Sequence, residues 1–446
     1  MSVRVGKTAL LLGLLCASTA RANGAFPAVS QLVADPADPA HLVLRSNFGL
    51  LVTQDRGKSW DWVCEASVGY ADIEPPIALL ADGTTIVGLP TGIARSSAAE
   101  CDFSAGSGIA AYVADVTRVP NAAGQAAAVS VDGAGSSQVW HTLDGGQSWS
   151  AWGNPLSGVY GATLDMAADP AQTLYVSGVV EAGAVSGVLA RSTDRGQSWA
   201  SFDVPGVNNV SAPYIAAVSA SDANTVFVRL SGAPGHLLVT HDGGQHFVSL
   251  LDFAGPIEGF ALSPDGRFAL AAGPVDGVWR ASTATLRFER LPCAHVRCLS
   301  WSEGGLFACA DEDQAGFVVG ESEDSGLSFQ PRLHLPCVRG PLACGSESSV
   351  ARACSTAWPM LLEQLGTVCP AAGAPTPSAD CANGGSADAN AEPPSGESGT
   401  SAGLRPGGTS GCTLSTRSGG PWQLLAVLVT AFALTRRRRA RSADTA

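Results

Sequence analysis

One eight-residue phrase, Ser/Thr-x-Asp-x-Gly-x-Ser-Trp, recurs along this chain, and recurrence at a near-constant interval constrains a fold more tightly than composition does. It reads Thr53-Gln54-Asp55-Arg56-Gly57-Lys58-Ser59-Trp60, then Thr142-Leu143-Asp144-Gly145-Gly146-Gln147-Ser148-Trp149, then Ser192-Thr193-Asp194-Arg195-Gly196-Gln197-Ser198-Trp199. Two looser copies end in phenylalanine: Thr240-His241-Asp242-Gly243-Gly244-Gln245-His246-Phe247 and Ser322-Glu323-Asp324-Ser325-Gly326-Leu327-Ser328-Phe329. Each copy follows an apolar run, such as Gly49-Leu50-Leu51-Val52, and leads into an aromatic residue. That order reads as strand, tight turn, strand. The aspartates Asp55, Asp144, Asp194, Asp242 and Asp324 are placed to accept hydrogen bonds from N–H groups of their own turns. Gly57, Gly146, Gly196, Gly244 and Gly326 supply a positive φ. Trp60, Trp149, Trp199, Phe247 and Phe329 open the next strand and bury a ring. All three roles are structural.

The phrase resembles the Asp-box, or bacterial neuraminidase repeat, of sialidase-like β-propellers, where it lies between the third and fourth strands of a blade. The resemblance implies an all-β propeller with its boxes at the blade periphery. Between the boxes at 55 and 144, and between those at 242 and 324, the interval nearly doubles, and each gap holds a decayed copy. Arg95-Ser96-Ser97-Ala98 with Phe103 aligns with Arg191-Ser192-Thr193-Asp194 and Trp199; Arg280-Ala281-Ser282-Thr283 with Phe288 aligns likewise. Seven anchors at 55, 98, 144, 194, 242, 283 and 324 result, spaced as four-stranded blades require. The expectation is a seven-bladed β-propeller of four-stranded antiparallel blades, with six and eight blades as alternatives and a regular β-sandwich as the competing fold. In the first unit the strands are read at 29–34, 41–44, 50–52 and 60–63.

Both ends read as processed. Residues 1–22 carry Arg4 and Lys7, an apolar stretch and the exit Ala20-Arg21-Ala22, the layout of a secretory signal peptide. At the other end, an apolar run at 424–434 precedes Arg436-Arg437-Arg438-Arg439. That run is short against the roughly 20 residues a spanning helix needs, and the arginines hold its C-terminal side in the cytoplasm. With Gly411-Cys412 upstream, the tail resembles the myxobacterial C-terminal sorting signal. The resemblance implies cleavage at Cys412 by a C-terminal sorting protease, lipid attachment there, and membrane anchoring at the cell surface. An uncleaved inner-membrane tether is the alternative. The expected order is leader 1–22, propeller 23–335, Cys-rich helical cap 336–369, Gly/Ser/Ala/Pro-rich tether 370–411, and sorting signal 412–446. The tether has almost no large apolar residue to bury. Within the cap, residues 348–353 and 358–365 read as two short helices stapled to the last blade.

The chain has 26 basic and 39 acidic residues; without the three basic residues of the leader and the six arginines and one aspartate of the tail, 17 basic and 38 acidic remain, a net of −21. Such a body repels nucleic acid, anionic lipid and polyanionic glycans. Of twelve cysteines, ten remain after Cys16 and Cys412 are set aside, an even number suited to disulfides in an oxidising compartment. Cys64 and Cys101 sit at corresponding ends of the first two blades and are a candidate pair. Cys293 and Cys298 form a local candidate near Cys309. Cys337, Cys344, Cys354 and Cys369 surround the cap. No Cys-x-x-Cys occurs and the histidines are scattered, so neither a zinc site nor a cofactor is expected. Asp311-Glu312-Asp313 is the one calcium candidate, against a merely solvated acidic loop.

Sialidases of the resembled family use an arginine triad, a Tyr–Glu nucleophile pair and an Asp acid/base, with the first arginine in a Phe/Tyr-Arg-Ile-Pro motif. That motif is absent, and Tyr70, Tyr112, Tyr160, Tyr175 and Tyr214 have no evident glutamate partner. Arg95, Arg191 and Arg280 should lie toward the rim, and Arg229 and Arg267 toward the interior. A different propeller glycosidase needs only two carboxylates at a set separation, for which Asp115, Asp165 and Glu258 are the candidates. No catalytic residue is assigned. The phrase also resembles repeats of sortilin-type receptors and photosystem assembly factors, which bind proteins. The leading expectation is non-catalytic binding of an extracellular protein or glycan; the alternative is a glycoside hydrolase, and the third a structural envelope protein.

Overall fold

A computed structural model describes residues 27–97, 99–292 and 295–370. The expected leader, tether beyond 370 and sorting signal with Cys412 lie outside the described residues, as do Ala98 and Cys293.

Short apolar runs broken by Asp-Pro, Asn or Gly turns fold into antiparallel meanders. In blade 1 the strands are Val29–Ala34, Leu42–Ser46, Gly49–Thr53 and Trp60–Val63, paired in chain order. Asp35 stops the first strand by accepting the N–H groups of Ala37 and Asp38 with one carboxylate oxygen. Six more four-stranded sheets follow, at 77–105, 112–151, 160–204, 213–253, 259–290 and 296–333. The chain is a seven-bladed β-propeller. First strands of successive blades pack side by side, and that of blade 1 packs on that of blade 7, closing the ring.

The core is a series of slabs between blades. One slab joins Val129 and Val139 of blade 3 to Leu164, Leu174 and Val176 of blade 4; another joins Leu270 and Val278 of blade 6 to Leu306 and Phe329 of blade 7. A second strand is therefore covered on both faces and reads as an unbroken apolar run rather than an alternation. Leu42, Val43 and Leu44 are all fully buried, and so are Ala126, Ala127, Ala128 and Val129.

The antiparallel order gives the ring two unlike axial faces. The hairpins after first and third strands, including every box, lie on one face. The hairpins after second strands and the links between blades lie on the other.

The C-terminal segment departs from expectation. Residues 349–365 form one helix rather than two, Ser349–Leu365, with Pro359 inside it and Ser348 capping its start through the Ala351 N–H. It is fastened to the first two blades and not to the last. Val338–Pro341 adds a fifth, parallel strand to the outer edge of blade 1, and Arg339 pairs with Asp61. Cys64 bonds Cys354, and Cys101 bonds Cys344. The candidate Cys64–Cys101 pair is thus corrected, because ring closure carries the segment after blade 7 between those cysteines. Cys298 pairs with Cys309 on the adjacent strand of blade 7, which corrects the Cys293–Cys298 expectation: directly opposite positions on neighbouring strands bring the sulfurs together. Cys337 pairs with Cys369.

Candidate binding site at the axial mouth

The box residues form one repeated network. In the first copy the Thr53 hydroxyl and the Ser59 N–H donate to Asp55 Oδ1 at 2.8 and 2.9 Å, and Ser59 Oγ donates to Oδ2 at 2.6 Å. The Gly57 N–H donates back to Thr53 Oγ1 at 3.0 Å. Asp144, Asp194 and Asp324 repeat this with Ser148, Ser198 and Ser328. At Asp242 the ring of His246 stands in for the serine hydroxyl. Donors from Ser148 and Ser198 hold the Asp144 and Asp194 carboxyls down at about 2. Left-handed backbone is needed at two consecutive positions, not one: Arg56 has φ 61° and Gly57 φ 79°. Trp60, Trp149 and Phe329 are buried, while Trp199 and Phe247 are half-buried. In the decayed copies, Thr283 donates to Gly266 O in the neighbouring hairpin of the same blade, and Phe103 and Phe288 are part-buried.

The arginines before the boxes tie neighbouring blades together. Arg95 donates to Gly145 O in the next box at 2.6 Å, Arg191 to Asn224 Oδ1 at 2.7 Å, and Arg280 to Ser325 O at 3.0 Å. Two arginines near the ends of second strands do the same on the opposite face. Arg45 donates to Pro75 O at the start of blade 2, and Arg229 to Ile257 O at the start of blade 6, both at 3.0 Å. Arg229 also stacks on Tyr214, 4.9 Å from the ring centre. Arg267 is not interior. It sits on an exposed hairpin, paired with Asp265, because Asp265-Gly266 turns the chain outward there.

The candidate carboxylates are engaged in the same way. Asp115 accepts the Val116 N–H and, from blade 4, the Leu164 N–H, each at 2.9 Å. Asp165 accepts Met166 N–H at 2.8 Å and, from blade 5, Val218 N–H at 3.1 Å. Burial raises Asp115 to about 7 and Asp165 to about 6, against the pull of those donors. Glu258 accepts from Arg297 Nη1 at 3.0 Å, while Arg297 Nε donates to Asp311 at 2.7 Å. Burial raises Glu258 too, with Arg297 opposing. Asp311 is thereby engaged, and Glu312 is held by His334 and the Leu335 N–H at 2.8 Å. Among the described residues no group of three or more His, Cys, Asp or Glu is arranged to hold a metal ion.

On the box face the ends of the first strands of blades 1 to 5, with the hairpins after them, line a cavity of about 510 Å³. Leu80, Met166 and Val218 supply apolar wall; Arg118, Asn121 and Asp165 supply a donor, an amide and an acceptor. Arg118 and Asn121 were not among the sequence candidates. Their hairpin, at the end of the first strand of blade 3, carries no motif. Near the opposite face the Tyr70 hydroxyl and Glu65 Oε1 are buried without a hydrogen-bond partner, and burial, then Asp72, raises Glu65 to about 7.

No family profile matches this sequence, and no curated protein matches it. Solved structures do. The chain is similar to Kuenenia stuttgartiensis hydrazine synthase, with a TM-score of 0.50 and 12% identity over 68% of this chain and 98% of that one. It is similar to Sqt1 of Saccharomyces cerevisiae, with 0.47 and 11% over 68% and 84%. A third is the extracellular domain of the one-component system BT4673 from B. thetaiotaomicron, with 0.46 and 13% over 65% of this chain and 38% of that one. The likeness is one of fold alone. This chain spans under two-fifths of the length of that extracellular domain. Four disulfides mark the described residues as belonging to an extracytoplasmic protein, and no helix among them is long and apolar enough to cross a membrane.

Proposed function

We propose that this chain is an exported Asp-box propeller, anchored through its C-terminus, that binds an extracellular protein or glycan at the box-face mouth without catalysis. The carrying observation is the cavity of about 510 Å³, where apolar wall meets a guanidinium, an amide and a carboxylate. Pockets of this size and mixed lining are the usual form of a ligand site. The engagement of Asp115 and Asp165 by backbone N–H groups of the next blade supports binding over hydrolysis, since a glycosidase needs two carboxyls free to reach one glycosidic bond. The leader at 1–22 and the Gly411-Cys412 tail supply export and anchoring in this reading.

A glycan array combined with a panel of chromogenic glycosides tests it. Saturable binding that Arg118→Ala or Asn121→Ala weakens at least tenfold, with no glycoside turned over, is the expected result. Turnover abolished by Asp165→Asn would establish the hydrolase reading instead, which the raised carboxyls of Asp115 and Asp165 favour. Cys412→Ala should abolish surface display; unchanged localisation would refute the tail's role.

A further inference from the structure

Neither blade 1 nor blade 7 borrows a strand from the other; each is a continuous meander. The ring is fastened at that seam by the segment following blade 7. Val338–Pro341 lies along Trp60–Val63, and the Leu342 N–H donates to Trp62 O at 2.9 Å. Trp358 of the helix packs on Trp62, with ring centres 5.7 Å apart. The Ser349 N–H donates to Asp102 Oδ1 at 2.8 Å, and the Val350 N–H to Cys101 O at 3.2 Å. Two disulfides spanning 290 and 243 residues lock this clasp to blades 1 and 2.

The two locks differ in access. Cys64 is 4% exposed and Cys354 is wholly buried, and the Cys64 N–H donates to Cys354 Sγ at 3.0 Å. Cys101 and Cys344 are only partly buried. Exchange requires an attacking thiolate to reach a sulfur. The inner bond is therefore shielded for as long as the outer one keeps the clasp seated.

We propose that the clasp is a two-stage redox latch on the ring seam, in which Cys101–Cys344 opens first and its opening exposes Cys64–Cys354. In each stage a thiolate of a dithiol reductant attacks one sulfur, the S–S bond breaks, and a mixed disulfide forms. The reductant's second thiolate then closes its own ring disulfide. The protein gains two electrons and two protons and is left with two cysteine thiols. The ion pair of Arg56 in blade 1 with Glu321 in blade 7, at 2.6 Å, crosses the seam and outlasts the disulfides. Reduction thus frees the clasp while the blades keep their fold.

The full chain treated with dithiothreitol without denaturant, then alkylated and mapped by mass spectrometry, tests the order. Cys101 and Cys344 should be labelled at least tenfold faster than Cys64 and Cys354. Hydrogen exchange at Leu342, Ser349 and Val350 should accelerate at least tenfold on reduction. Exchange at Leu164 and Val218, which bridge blades 3 to 4 and 4 to 5, should not change. In an oxidised C101A/C344A variant the inner bond should be reduced at least tenfold faster than in the wild type. Labelling of all four cysteines at one rate, earlier labelling of the inner pair, or equal acceleration at Leu164 and Leu342 would each overturn the latch. Wild-type labelling decides the matter even if the variant fails to fold.

Discussion

Replacing Asp115 by asparagine should raise stability at pH 5 and raise it about twice as much or more at pH 8. Asp115 is part-buried on the innermost strand Tyr112–Arg118. Burial is the largest influence on its carboxyl and moves it from 3.8 to about 7; the Leu164 and Val116 N–H groups resist, Asp165 adds to the rise, and Arg45 opposes it. In the unfolded chain the same carboxyl ionises near 3.8. Between those limits the native state holds a proton that the unfolded state has lost, so stability falls as pH rises from about 4 and levels off above about 7. A gap of about 3 pH units at roughly 1.36 kcal/mol each bounds the effect at about 4 kcal/mol, less what solvent screens at a part-exposed site. Asparagine imitates the protonated acid at every pH and is free of that loss. Urea unfolding at pH 5 and pH 8 with disulfides intact, followed through the fluorescence of ten tryptophans, reads the difference as a shift in midpoint. A wild type as stable as the variant at pH 8, or more stable, would refute the reasoning. It would mean that the two backbone donors outweigh burial and that the ionised carboxylate supports the fold.

His41 predicts the same direction of pH dependence from a different cause. Its ring nitrogens face Glu100 at 2.8 Å and Asp35 at 3.5 Å in a site under 5% exposed. Burial works against the charged ring, but the two carboxylates outweigh it and raise its pKa. The resulting stability is complete below about 6.5 and lost as pH rises through the native value, so His41→Gln should destabilise strongly at pH 6 and less at pH 9 in the same urea assay. The boxes predict the acid limb. Carboxyls held at about 2 stabilise above roughly 3.8 and lose that contribution as pH falls toward 2. A double D144N/D194N variant should therefore show a shallower acid-unfolding curve by circular dichroism, and an unchanged slope would refute the box network's role. Gly153→Ala should lower stability by about 3 kcal/mol or more. Its φ is +77°, and an added Cβ would stand 2.0 Å from the Gly196 carbonyl carbon; a midpoint within error of the wild type would contradict that close approach.

The fold was legible because its most repeated element is local. A Ser/Thr, an Asp, a Gly and a Ser within eight residues close a turn with bonds that need nothing else from the chain, so five copies could be aligned and two decayed ones placed. The disulfides were not legible for the opposite reason. Cys64 meets Cys354 only after seven blades have carried the chain around a circle, and no spacing rule anticipates a closure that is global. Arg267 was misplaced because a residue beside an Asp-Gly turn reads equally as strand or hairpin tip. Arg118 and Asn121 belong to a mouth assembled from five blades, and no single stretch announces it.

The polar groups divide along the same line between local and assembled. Asp115, Asp165, Arg45, Arg95, Arg191, Arg229 and Arg280 each reach from one blade to the next. A meander of four strands is a poor stand-alone unit, and the slabs between blades are apolar and non-directional. Directional bonds between blades therefore set the rotation of each blade on its neighbour. Substituting one of them should disturb the mouth at a distance, because Asp165 belongs to both the bridge to blade 5 and the cavity lining. Arg118 lines the cavity and acts on Asp165 through its charge, whereas Asp165 itself accepts the Val218 N–H, so the two substitutions perturb the bridge to different degrees. If Arg118→Ala abolishes binding with stability intact while Asp165→Asn alters both, the site is an outcome of how the ring is held. If Asp165→Asn leaves binding untouched, the mouth is independent of the bridges, and that coupling is wrong.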